Sequence, residues 1–232
     1  MSDVHKLVLE GLFGSVFRAT NTSKLIEKKQ LSSFKIKCLV LKYSDEICKS
    51  QKNIEYQAEM DFIVKNEARN NFIKNLVLSL NGNSLVLFQY VEKHGKILYE
   101  LIKKNAKEGR KVFFVSGKTE AEDREIIRAI TEKEKDAIIV ASYGTFSTGI
   151  NIKNLHNIIF ASPSKSRIRN LQSIGRVLRL GNDKTEAILF DISDDFRIGK
   201  YVNFTLKHFA ERLSIYDQER FSYKIYNIDL KN

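Results

Sequence analysis

Short, continuous apolar runs separated by polar segments constrain this chain more than any other feature of its sequence. Between residues 85 and 192 these runs occupy residues 85–90, 112–115, 137–141, 157–161 and 187–190. Continuous apolarity predicts strands that are covered on both faces, as in parallel sheets buried by their crossover helices. We therefore predict an α/β fold, with a doubly wound parallel sheet flanked by helices.

The polar segments between the runs have the composition of crossover helices. We predict these helices at residues 92–107, 120–133 and 165–180, the last of which begins after Ser164 and ends at Gly181. The core domain is assigned to residues 81–195.

Two flanking segments complete the predicted organisation. Residues 1–80 are expected to be a lead-in or adapter segment that packs on the core, with a helix at 7–17, a strand at 36–41 and two helices within 56–80 that are divided near Asn66. Residues 196–232 are expected to hold a C-terminal helix at 201–215 and an aromatic tail with a strand at 221–228.

Composition limits the partners that suit this chain. Lys and Arg number 39 against 28 Asp and Glu, a formal net charge of +11, and the excess is spread along the sequence. This balance favours an acidic polymer as partner. No apolar stretch reaches the roughly 18–20 residues of a membrane span, and the first residues lack signal-peptide character, so we expect an intracellular, cytoplasmic protein without membrane contact. Two cysteines and four scattered histidines predict neither a disulfide framework nor a metal site.

One loop resembles a phosphate-binding P-loop but fails its spacing. The sequence SGKT at residues 116–119 follows an apolar run and precedes a helix, yet a Walker A motif requires glycine at position 112, which is Val112. A turn with Gly117 and Lys118 at a helix N-terminus can still hold a single backbone phosphate. An ordinary turn is the alternative, and a phosphotransferase that uses residues 117–119 is a distant third.

Acidic residues at two places suggest metal binding only weakly. Asp45 and Glu46 follow an apolar run, but we expect a solvated turn there. Asp191, Asp194 and Asp195 come at the end of the last apolar run, where a carboxylate-rich loop is expected rather than a magnesium site.

The octet QSIGRVLR at residues 172–179 carries two arginines on one side of a predicted helix. Because a helix turns about 100° per residue, Gln172, Arg176 and Arg179 fall within a narrow sector, and the apolar residues point away from it. Two fixed guanidinium groups suit the charge that develops during phosphoryl transfer. The alternative is an amphipathic helix with solvated arginines.

The order of these segments is more informative than any one of them. An apolar strand that includes Phe88 is followed by the turn at 115–118, then by ASYGTFSTGINI at 141–152 and finally by the octet. This succession resembles motifs four, five and six of superfamily-two helicases, in particular the C-terminal RecA-like half of the phage UvsW-type branched-DNA helicases. The resemblance extends over most of the chain.

The resemblance implies roles for individual residues. Arg176 and Arg179 would act on the ATP phosphates, with Arg179 as the arginine finger. The residues that would approach or sense the nucleotide are Gln172, Gly149 and Asn151. Those that would touch or support the nucleic-acid backbone are Gly117, Lys118, Arg124, Ser142 and Thr145. Phe88 would either pack or make contact.

Two motifs of these helicases do not occur in the chain. Neither a Walker A motif nor a DExD/H box is found, although phosphoryl transfer needs a lysine for the phosphates and acids for Mg²⁺ and the attacking water. We therefore expect ATP and Mg²⁺ to bind at an interface with an N-terminal RecA-like half, supplied in cis or in trans, and the isolated chain to be inactive. The expected partner is branched or single-stranded DNA, or RNA. The alternative is a free-standing, non-catalytic nucleic-acid-binding module from a split or degenerate helicase.

Overall fold

The computed structural model describes residues 33–149, 152, 154–163 and 186–230. Its strands are β1 Ser33–Lys42, β2 Ser84–Phe88, β3 Val112–Val115, β4 Ile138–Ser142, β5 Asn157–Phe160, β6 Glu186–Asp195 and β7 Tyr223–Asp229. Its α-helices are α1 Asp45–Ser50, α2 Tyr56–Lys65, α3 Glu67–Ser79, α4 Lys96–Asn105, α5 Ala121–Lys133, α6 Tyr143–Gly149 and α7 Phe204–Glu219. A π-helical turn, Val91–Gly95, precedes α4.

The described strands form one seven-stranded sheet in the order β3-β4-β2-β5-β6-β1-β7. Every adjacent pair is parallel. The predicted α/β class with a doubly wound parallel sheet is therefore confirmed. Each of the three predicted segments contributes strands to this sheet, and their division at residues 80 and 195 stays a prediction.

Helices cover both faces of the sheet, and each face has its own apolar core. On one face the central strands pack against α5, α6 and α7. On the other face they pack against α1, α2, α3 and α4. The strands β2, β4 and β5 are buried along their whole length. Continuous apolar sequence is required there because neither face meets water.

Local side-chain hydrogen bonds set several helix boundaries. Asn66 ends α2, and its Oδ1 accepts a hydrogen bond of 2.8 Å from the Arg69 N–H, which caps α3. The predicted division near Asn66 is confirmed. Ser44 caps α1 in the same way, with its Oγ accepting from the Ile47 N–H at 3.5 Å. Asp45 and Glu46 thus begin a helix, and the expectation of a solvated turn was wrong.

Three further elements differ from the sequence-based expectation. The predicted helix at 92–107 is divided into the π-helical turn and α4. The short helix α6 follows β4 directly and was not predicted. Strand β6 continues to Asp195, so the acidic residues expected in a loop belong to the sheet. The predicted helices at 7–17 and 165–180 lie outside the described residues.

No helix in the described part of the chain is long and apolar enough to cross a bilayer. Within the same residues, no group of His, Cys, Asp and Glu side chains is arranged to hold a metal ion. Cys38 and Cys48 are buried free cysteines.

Candidate functional site

The parallel sheet brings several of the predicted site residues to one edge. Because all seven strands run in the same direction, their carboxyl ends meet at the same edge, where α/β proteins bind ligands. Gly117 and Lys118 follow β3 at this edge. Ser142 is the last residue of β4, and Thr145 lies in the first turn of α6.

The turn between β3 and α5 satisfies its own polar groups and exposes a lysine. The Ser116 N–H donates to Thr119 Oγ1 at 3.0 Å, and the Thr119 N–H donates to the Ser116 carbonyl at 3.0 Å. The Lys118 N–H faces Ser116 Oγ at 3.4 Å. Gly117 and Lys118 are exposed, and a Cβ placed on Gly117 would meet no atom within 4 Å. The turn therefore presents Lys118 to solvent from a fixed backbone.

Arg124 ties the first turn of α5 to this loop. Its Nε donates to the Thr119 carbonyl at 3.0 Å, and the residue is half-buried. This bond fixes the position of the loop that carries Lys118. Among the described contacts, Arg124 is thus a support for the loop.

Ser142 and Thr145 form a cap at the start of α6. Ser142 Oγ accepts from the Thr145 N–H at 3.3 Å and lies 2.7 Å from Thr145 Oγ1. Both side chains are buried, with 9% and 6% of their surface exposed. Gly144 between them is exposed, and a Cβ there would meet nothing within 4 Å. The two hydroxyls therefore hold the turn, while the backbone at Gly144 faces outward.

A buried polar cluster below this edge was not found from the sequence. Ser162 follows β5. Its Oγ accepts a hydrogen bond from the Gln89 N–H at 3.1 Å and lies 2.9 Å from His94 Nδ1. The Tyr143 hydroxyl donates to the Ser162 carbonyl at 3.0 Å. Ser162 thus connects the carboxyl ends of β2, β4 and β5. Four residues from three segments of the chain meet here, and no local sequence pattern indicates it.

The π-helical turn places His94 inside this cluster. Burial, with a smaller contribution from the Arg69 cation, lowers the pKa of His94 well below its usual value, so the imidazole is neutral. Gly95 lies against the Phe88 ring, since a Cβ on Gly95 would be 2.5 Å from two of its carbons. Phe88 is fully buried and stacks on Phe114 at a centroid distance of 5.5 Å. Of the two roles expected for Phe88, packing is the one observed.

The acidic residues of β6 are neutralised inside the fold. Asp191 accepts hydrogen bonds from Nε and Nη2 of Arg212 at 2.8–3.1 Å and from the Tyr216 hydroxyl at 2.8 Å. Asp194 Oδ1 accepts hydrogen bonds from Arg69 Nε at 2.8 Å and from the Tyr43 hydroxyl at 2.7 Å. These carboxylates stabilise the sheet by internal pairing, which explains why they belong to a strand and not to a loop.

Asp195 has a different partner set. It pairs with Arg197 at 2.7 Å and with Lys42. Although burial raises the pKa of Asp195, hydrogen bonds from Arg197 and Lys42 outweigh it and hold the pKa at about 2. The carboxylate is therefore ionised at neutral pH and fixed at the carboxyl end of β6.

Four predicted nucleotide residues fall outside the part of the chain that the structure describes. These are Gln172, Arg176, Arg179 and Asn151. Gly149 is the last residue of α6. The structure thus brings Lys118 and the Gly144 backbone to one edge, and the roles assigned to Gly149 and to the arginines stay predictions.

Comparisons with known proteins extend this picture. Residues 68–181 match the family described as helicase conserved C-terminal domain. The chain is 40% identical over 233 residues to the ATP-dependent DNA helicase uvsW of Enterobacteria phage T4, over 95% of this chain and 46% of that protein. The crystal structure of T4 UvsW matches with a TM-score of 0.74 and 36% identity, over 95% of this chain and 45% of that one.

A more distant structure shares the fold alone. The ATP-dependent type ISP restriction-modification enzyme LlaBIII bound to DNA matches with a TM-score of 0.64 and 16% identity, over 95% of this chain and 17% of that chain. The chain spans less than half the length of each relative named.

Proposed function

We propose that the chain, whose residues 68–181 match the helicase conserved C-terminal domain family, is the C-terminal motor domain of an ATP-dependent, UvsW-like DNA helicase. The observation that carries the proposal is the 40% identity to the T4 protein along 95% of the chain. The RecA-like α/β fold and the resemblance to superfamily-two helicases, both expected from the sequence, are confirmed by the same comparison and by the match to its structure.

In the proposed motor, ATP and Mg²⁺ bind between this domain and an N-terminal RecA-like half. That half supplies the lysine and the acids that phosphoryl transfer requires, in cis or in trans. Arg176 and Arg179 supply cations to the phosphates, with Arg179 as the arginine finger. Gln172, Gly149 and Asn151 lie beside the nucleotide and link its state to domain closure.

The same proposal assigns nucleic-acid contact to the carboxyl edge of the sheet. Lys118 reaches a backbone phosphate from the β3–α5 turn, and Arg124 holds that turn in place through the Thr119 carbonyl. Ser142 and Thr145 keep the Gly144 backbone exposed beside it. These contacts read the backbone and not the bases, so binding should weaken steeply with salt and show little sequence preference.

An ATPase assay tests the motor assignment. The chain alone should hydrolyse ATP negligibly, whereas the chain joined to the N-terminal half of the T4 helicase should hydrolyse it in a DNA-stimulated reaction. In that fusion Arg179→Ala should lower kcat by about two decades or more. Arg128→Ala is the matched control, because Arg128 lies on the surface and pairs with Glu125 and Glu132.

Two outcomes would contradict the proposal. An active fusion that is indifferent to Arg179→Ala would remove the arginine-finger role. A fusion that binds DNA but never hydrolyses ATP would favour the second candidate, a non-catalytic nucleic-acid-binding module. The net charge of +11 suits both candidates, so hydrolysis and not binding separates them.

A further inference from the structure

A second basic surface lies on the sheet, away from the carboxyl edge. Lys37 of β1 is paired in register with Lys224 of β7, and Leu39 with Tyr226. Residues paired in register point to the same side of a sheet, and alternate residues of one strand do so too. Lys35, Lys37, Lys224 and Tyr226 therefore share one face, and we name them the basic patch.

The side chains of the basic patch are accessible and line a depression. The depression has a volume of about 240 Å³, and all four residues line it. Tyr226 is 41% exposed, and the Lys35 side chain is 63% exposed. Lys37 Nζ lies over the Phe190 ring, 5.5 Å from its centroid, which holds this cation near the sheet surface.

The charge of the basic patch is not cancelled by the carboxylates described around it. Lys35 pairs with Glu186 of β6. No described ion pair involves Lys37 or Lys224. Two lysines therefore remain beside an exposed tyrosine. Surfaces that bind single-stranded nucleic acid combine cations placed along its sugar-phosphate backbone with aromatic rings on which its bases stack.

The basic patch is far from the edge that carries Lys118. Lys37 precedes the end of β1 at Lys42 by about five residues, or roughly 16 Å at 3.3 Å per residue. Lys118 follows β3, and β1 lies five strand positions from β3 in the sheet, which adds roughly 24 Å at 4.8 Å per step. The two surfaces are thus about 29 Å apart.

We propose that the basic patch is a second binding site for DNA, which holds a single-stranded arm while the carboxyl edge engages the strand on which the motor works. Lys37 and Lys224 contact phosphates, and a base stacks on Tyr226. This inference rests on the proposed function in one respect, that the chain works on DNA.

Fluorescence anisotropy with an oligothymidylate of about 20 nucleotides tests the proposal. Tyr226→Ala should weaken binding by about 5- to 150-fold, the range for loss of one stacked base, and Tyr226→Phe should retain the wild-type affinity. The pair Lys37→Gln and Lys224→Gln should reduce the slope of log K against log salt by about 1.4, since each phosphate contact to a single strand contributes about 0.7. An oligonucleotide carrying 5-iodouracil should crosslink to Tyr226 on irradiation.

The matched control is the pair Lys103→Gln and Lys104→Gln on α4, which removes the same charge from another exposed surface. It should change the affinity much less than the patch pair. Circular dichroism checks that every variant is folded. If Tyr226→Ala is not folded, the pair Lys37→Gln and Lys224→Gln tests the proposal.

Three results would overturn the proposal. If the patch variants behave like the control while Lys118→Gln weakens binding, DNA is held at the carboxyl edge alone and the proposed function stands. If binding of an oligoribonucleotide depends on the basic patch and binding of DNA does not, the proposed ligand is wrong. If the wild-type chain binds no oligonucleotide, the inference and the DNA-binding part of the proposed function both fail.

Discussion

Removing the guanidinium of Arg212 should destabilise this protein more than any surface charge substitution. Arg212 is 1% exposed and Asp191 is fully buried, and Nε and Nη2 of the arginine make three hydrogen bonds to the carboxylate at 2.8–3.1 Å. Nη2 also donates to Ser193 Oγ at 2.7 Å. In Arg212→Met the Asp191 carboxylate would stay buried with only the Tyr216 hydroxyl, at 2.8 Å, among these partners.

The magnitude follows from the cost of an uncompensated buried charge. Breaking a buried pair by removing one partner costs about 3–5 kcal/mol. With a urea m-value of about 2 kcal/mol/M, the unfolding midpoint of Arg212→Met should fall by about 1.5–2.5 M. The measurement is urea unfolding followed by far-ultraviolet circular dichroism at pH 7.

An exposed arginine with two carboxylate partners provides the control. Arg128 pairs with Glu125 and Glu132 on α5, and its side chain is 30% exposed. Because exposed ion pairs contribute about 0–1 kcal/mol, Arg128→Met should shift the midpoint by less than about 0.5 M. Equal shifts for the two variants, or a loss below about 1 kcal/mol for Arg212→Met, would refute the reasoning from burial.

Two further predictions concern packing and pH. Gly95→Ala should lower the free energy of unfolding by about 1–3 kcal/mol, because the added Cβ overlaps the Phe88 ring, and Gly117→Ala should change it little. Thermal unfolding measures both, and equal effects would contradict the close approach. Since the pKa of Asp195 is depressed to about 2, its contribution to stability is present above about pH 4 and lost as pH falls toward 2. Asp195→Asn should make the urea unfolding midpoint less dependent on pH between about 4 and 2. An unchanged pH dependence would exclude this carboxylate as a cause of the loss of stability in acid.

Much of the fold could be predicted because its strands are buried on both faces. Strand β3 was predicted with the bounds that the structure has, and β2, β4 and β5 within two residues at each end. A strand between two layers of helices has no solvent-facing positions, so its sequence is continuously apolar and easily recognised. Asn66 was identified as a helix boundary for a similarly local reason, since its side chain caps the helix that it begins.

The elements that were missed depend on contacts between distant residues. The π-helical turn requires Gly95 to approach Phe88, and α6 begins with a cap that directly follows a strand. The carboxyl end of β6 was expected to be a loop because it is acidic. It is a strand because Arg69 and Arg212, which lie in helices 125 and 21 residues away along the chain, neutralise Asp194 and Asp191.

The candidate site shows the same division. The sequence alone predicted Lys118 and Gly117 as a phosphate-contacting turn, and the structure places both on the surface at the carboxyl edge. The motifs also predicted the resemblance to superfamily-two helicases, because their residues occur in a fixed order along the chain, and the comparisons confirm it. The support roles of Arg124, Ser142 and Thr145 became visible only through their hydrogen bonds.

The sequence by itself determined which segments are buried and which helicases the chain resembles, because apolar runs and motifs are local patterns. The tertiary structure decided which charges lie inside and which side chains meet. The order of strands places β1 between β6 and β7, and this pairing sets Lys37 beside Lys224 although they are far apart in the chain. Pairing between strands depends on hydrogen bonds and packing across the whole sheet, which no local pattern encodes.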